Sequence, residues 1–216
     1  MFFLIAYSLV GDTMKKAMDK LFTVDKKVVI FLFVISFIGV ITGALFMTVL
    51  SSQDKQLVAE TLSSFLENIE PTNYLSSLTN NVIINVLFIV IIWLLGFSII
   101  GLPIVIILLF YKAFTVSFTL SSFVANYGLK GSLIGFLYNF PHQFVIFVIY
   151  LYLGCYAIKV SLALIHSIIK RKSIDFKTIM NRYLLVLVVS LLVVVIMTLV
   201  ETFVTPYLLK IVVNVL

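Results

Sequence analysis

Charge is scarce in this chain of 216 residues: only 11% are Asp, Glu, Lys or Arg, while 62% are apolar. Soluble domains carry roughly a quarter charged residues, and a fold of this size needs far more polar side chains than that to cover a water-facing surface. A single cysteine, Cys155, excludes an intrachain disulfide framework and a Cys-rich zinc site. Catalytic signatures are missing too. There is no His-Glu-x-x-His, no pair of aspartates within an apolar run, and Gly96-Phe97-Ser98 lacks the second glycine of a nucleophile elbow. His142 and His166 read as interfacial or structural, and Cys155 as a residue facing lipid or a neighbouring helix. No catalytic, cofactor-binding or metal-binding residue is assigned, and the chain reads as a non-enzyme.

What remains is an integral membrane protein, with a mean hydropathy of +1.23. Its formal charge of +6 could suggest a nucleic-acid partner, but the charges fall at the ends of apolar runs. Residues 1–27 hold Lys15, Lys16, Lys20, Lys26 and Lys27 against three aspartates, and 170–182 hold five cations against Asp175. Residues 51–81 hold Lys55 against Asp54, Glu60, Glu67 and Glu70. Basic loops stay in the cytoplasm. Residues 1–27 and 170–182 therefore read as inside and 51–81 as outside, with the bilayer as partner and no role for nucleic acid. MFFLIAYSLV inverts the order of a signal peptide, whose basic residues precede its apolar run, so translation is expected to start at Met14.

The uncharged run 28–50 is long enough to cross a hydrocarbon core of about 30 Å. Residues 82–169 must hold an odd number of crossings to return the chain inside. Three fit, with breaks at Gly101-Leu102-Pro103 and at 126–131, where Gly and Pro interrupt regular helix. The expected spans are 28–50, 82–100, 104–126, 141–169 and 183–204, ended by Thr205-Pro206. Residues 132–140 read as a short interfacial or re-entrant piece. The fold class is all-α: a polytopic membrane protein of about five transmembrane helices, with one membrane domain over 28–216 behind a cytoplasmic stretch at 1–27. The N-terminus is expected inside and the C-terminus outside.

Within 51–81, Ser51-Ser52-Gln53-Asp54 resembles a capping box that opens an extracytoplasmic amphipathic helix. Leu57, Val58, Leu62, Phe65, Leu66 and Ile69 share one face, opposite Glu60, Glu67 and Glu70. That stripe either packs on the bundle or offers a partner face centred on Leu62, Phe65 and Leu66. Lys112 and Lys159 lie well inside apolar runs and read as buried cations, paired in a polar interior or snorkelling. Glu201 reads as interfacial. Gly39-x-x-x-Gly43 and Gly131-x-x-x-Gly135 permit close helix approach.

The stretch Trp93-Leu94-Leu95-Gly96-Phe97-Ser98-Ile99-Ile100-Gly101-Leu102-Pro103, continuing through Phe110-Tyr111-Lys112-Ala113-Phe114, resembles the stage II sporulation protein M family. Its strongest element is the spacing of Gly96, Gly101 and Pro103, the residues of a structural turn, with Lys112 nine positions later. Ala113 departs from the small residue, often Gly, usual there. The resemblance implies a membrane protein of engulfment, acting as a septal scaffold that holds two peptidoglycan-degrading enzymes, the sporulation proteins D and P, without cofactors. The rival reading is a small transporter or permease subunit with broken membrane helices. No internal repeat and no membrane carboxylate favours it from sequence.

Overall fold

A computed structural model describes residues 25–69, 73–139, 142–170 and 176–215. The expected start at Met14, the lysines at Lys15, Lys16 and Lys20, both Pro71 and Pro141, and residues 171–175 of the basic loop lie outside them. The described residues form seven α-helices and one π-helical turn: α1 (Lys26–Val49), α2 (Ser52–Glu67), α3 (Tyr74–Leu95), α4 (Gly101–Asn139), α5 (His142–Lys170), α6 (Phe176–Leu199), the π turn Val200–Val204, and α7 (Thr205–Val215). Five helical stretches are long and apolar enough to cross a membrane, as the composition predicts. The chain is a multi-pass membrane protein.

Local chemistry sets the starts of the first helices. Asp25 caps α1 by accepting the Lys27 amide at 3.0 Å. Ser51 opens α2 in the expected manner: its Oγ accepts the Asp54 amide at 3.2 Å and donates to the Asp54 carboxylate at 2.6 Å. Lys55 reaches back to the Thr48 carbonyl at 3.1 Å, satisfying an acceptor that α1 leaves open at its end. Asn73 accepts the amides of Leu75 and Ser76, so α3 begins well before the expected residue 82. The polar run 74–81 is helical because a good N-cap starts it.

The first break also differs in register. The reversal occupies Gly96–Ile100, and Gly101 is already the first residue of α4. A Cβ at Gly101 would collide with the Leu95 carbonyl, which is why glycine is needed there. Pro103 sits in the first turn of α4, where no amide donor is required. At the second break Gly128 takes φ 59° and ψ −135°, a conformation glycine adopts readily. Beyond it, Gly131 lies against the Phe123 carbonyl and Gly135 against Leu120 and Phe123. Residues 129–139 therefore fold back on the preceding turns of α4, and the piece expected over 132–140 is helical to Asn139.

The last span overturns an expectation. Thr205-Pro206 does not end it, and helix continues to Val215. A proline ring crowds the carbonyl four residues earlier and lacks a donor for it. Here the turn before Pro206 widens to π geometry, with the Thr205 amide bonded to the Val200 carbonyl, so the proline is absorbed.

The most buried span, α5, forms the hub, and the core around it includes Leu32, Ile89, Leu109, Ile146, Tyr150 and Val186. The other spans leave Phe33, Phe37, Leu87, Ile107 and Leu192 exposed, as lipid-facing surfaces do. Against α4, the longest seam is that of α1. Gly39 faces the Phe110 carbonyl, Gly43 faces the Phe114 backbone, and the Ser117 hydroxyl donates to the Val40 carbonyl at 2.7 Å. The Gly39-x-x-x-Gly43 pair thus serves contact within one chain.

The apolar stripe of α2 is turned inward. Leu62, Phe65, Leu66 and Ile69 pack on Phe123, Ile134 and Leu209, and Phe65 meets Tyr138 edge to face at 5.1 Å. Of the two readings of this stripe, packing on the bundle is the one that the contacts of Leu62, Phe65 and Leu66 fit, and not a free partner face. Replacing all three by Ser is expected to destabilise the protein by roughly 3 kcal/mol, given half-buried side chains. Immunoblotting of membranes should show reduced abundance of this chain.

Candidate functional site

Ionisable groups inside a bilayer are costly and mark function by default. Three of them come from different elements, Lys112 of α4, His142 at the start of α5 and Glu201 of the π turn, and the last two are in contact. The π turn carries Glu201 toward the bundle. Its Oε1 accepts from the Gln143 amide at 3.4 Å and lies 3.8 Å from Nε2 of His142. Only 19% of the Glu201 side chain and 1% of His142 is accessible. The other imidazole nitrogen, Nδ1, is 3.2 Å from the Thr205 hydroxyl.

Deeper in the bundle, the buried Asn85 donates to the Thr198 hydroxyl at 3.3 Å, and the Tyr150 hydroxyl donates to the Asn85 side-chain oxygen at 3.1 Å. Asn85 stands ten residues before the end of α3, about 15 Å from that end at 1.5 Å per residue. The Lys112 ammonium lies over the Tyr150 ring, 5.7 Å from its centroid, a cation–π arrangement. With Glu201, Gln143, His142 and Thr205, these groups make a polar seam in the bundle. Glu201 Oε2 and His142 Nε2 are shut away with no hydrogen-bond partner in the protein.

Lys159, grouped with Lys112 as a buried cation, is instead exposed on α5 and lies 5.9 Å from the Tyr156 ring centroid. The reason is the length of α5. The Ser161 hydroxyl donates to the Ser98 carbonyl at 2.9 Å, so the level of the Gly96–Ile100 turn is reached two residues after Lys159, not at residue 170. Cys155 belongs to the core, and His166 is exposed.

The Gly96–Ile100 turn is fastened from two sides. The Tyr183 hydroxyl of α6 donates to the Trp93 carbonyl at 2.8 Å, and Tyr183 stacks on Trp93 with centroids 5.7 Å apart. A Cβ on Gly96 would strike the Tyr183 hydroxyl, so glycine makes room for the tyrosine. The turn residues Gly96, Gly101 and Pro103 thus have packing roles rather than chemical ones.

At the end of the bundle carrying α2, a cavity of about 230 Å³ descends to Glu201. Its walls mix polar and apolar groups: Asn68, Ser77 and Asn81 on one hand, Phe65, Tyr138 and Leu209 on the other. The conjunction of a buried carboxylate, a π turn and an open path is not legible by spacing. A pointer was present in Thr198, Glu201, Thr202 and Thr205, four polar residues within two turns of an apolar span.

The family model described as Stage II sporulation protein M matches residues 29–206. No curated protein and no solved structure matches the chain.

Proposed function

The chain belongs to the stage II sporulation protein M family, which carries a role in sporulation engulfment, and from that premise we propose that it is a non-catalytic membrane scaffold. In this reading it holds peptidoglycan-degrading enzymes, the D and P type sporulation proteins, at the septal membrane. The family match is the observation that carries the reading. We place residues 1–27 in the cytoplasm, the membrane domain over 28–216, and α2 and the C-terminus outside the cell membrane. The basic stretches flanking the bundle support this orientation. With its apolar stripe packed inward, α2 turns Gln53, Glu60 and Glu67 to solvent, and this acidic face is where a hydrolase would meet the scaffold. Tethering raises the partners' effective concentration at the wall toward about millimolar.

The test is complementation. In a spore-forming cell lacking its own M protein, a tagged copy of this chain is expected to restore engulfment and to co-purify the D and P hydrolases. Reporter fusions at Ser77 and Ser173 should lie on opposite sides of the membrane. Hydrolases that fail to co-purify while engulfment is restored would refute the scaffold. The permease reading is favoured by one observation, the buried ionisable seam. It requires solute uptake that Glu201→Gln abolishes.

A further inference from the structure

The cavity above Glu201 has no part in the scaffold reading, and its chemistry is selective. We propose that it is a binding site for a small organic cation, a primary ammonium group carried on a compact apolar body. Glu201 is the only formally charged residue among the described lining residues, which sets the sign of the ligand. Lys112 does not line the cavity, so the one charged side chain that a ligand there meets is acidic.

An aromatic wall supports the same sign. Phe65 and Tyr138 line the cavity and meet edge to face at 5.1 Å, and ring faces attract ammonium groups. Ser77, Asn68 and Asn81 also line the cavity, and their side-chain oxygens can accept from N–H donors. The volume of about 230 Å³ is several times the ~30 Å³ share of one water. It therefore suits a molecule of about eight to ten heavy atoms better than a bare metal ion. Gln143 holds one carboxylate oxygen at 3.4 Å, so the charge is positioned before any ligand arrives.

The test uses the full chain in lipid nanodiscs and three probes of one shape: benzylammonium, benzyl alcohol and benzoate. Isothermal titration is expected to show benzylammonium binding at least tenfold more tightly than the other two. Glu201→Gln should lower its affinity at least tenfold. Ser77→Trp, in the first turn of α3, should block the cavity while leaving the polar seam intact, and so abolish binding in a folded protein. Should Glu201→Gln fail to assemble, the Ser77→Trp arm decides. Equal affinity for the three probes, no binding at all, or unchanged binding in Ser77→Trp would overturn the assignment.

Discussion

Lys112→Met is expected to lower stability by about 2 kcal/mol, because it removes a half-buried ammonium that lies over the Tyr150 ring, 5.7 Å from its centroid. The Glu201 side chain is 19% accessible, accepts from Gln143 on one oxygen, and has no hydrogen-bond partner in the protein on the other. Lys112 is the cation whose charge reaches it. Glu201→Gln should also be harmful, since Lys112 would keep its charge with only the Tyr150 ring for company. The double change Lys112→Met, Glu201→Gln removes both charges at once and is expected to recover more than half of the loss. Thermal unfolding in detergent of the two single variants and the double variant gives the coupling directly. Additive losses would show that the two residues act independently, contrary to the seam described.

Gly43→Leu is expected to damage the fold by a different route. A Cβ at this position runs into the Phe114 backbone, with the Phe114 carbonyl carbon at 3.0 Å and its Cα at 3.1 Å. Backbone cannot swing aside as a side chain can, so α1 must retreat from α4 along their longest seam. That retreat breaks the Ser117 hydrogen bond to Val40 and opens the packing around Leu32. Overpacking of this kind costs about 3 kcal/mol, and newly made protein should fail to accumulate. Gly43→Ala is expected to be milder. Leu45→Ala, on the exposed side of the same helix, should leave abundance near wild type. Equal abundance of Gly43→Leu and Leu45→Ala in quantitative immunoblots would contradict this seam.

The number of spans was legible because length and apolarity alone decide whether a helix can cross a bilayer. The α2 start was legible for a different reason: Ser51 and Asp54 interact across three residues, so the cap is local chemistry. The doubling back of 129–139 was legible in Gly128, Gly131 and Gly135. Side-chain depth was not. Lys159 sits well inside an apolar run, yet α5 extends past the level of the Gly96–Ile100 turn, so place within the run does not give depth. The continuation past Pro206 was hidden because a proline in sequence reads as a stop, whereas a π turn lets the helix pass it. That widening also changes which face the following residues present, a shift that a fixed period of 3.6 does not anticipate.

The start of α5 at His142 has an electrostatic meaning separate from its side chains. The peptide dipoles of a helix sum to roughly half a positive elementary charge at its N-terminus, and the four leading amides of any helix lack intrahelical acceptors. Here the first turn of α5 also carries Gln143, whose side-chain amide donates to the Glu201 carboxylate at 3.4 Å. The carboxylate therefore lies within one side chain's reach of a positive helix end, and a charge built from backbone is not removed by any single side-chain substitution.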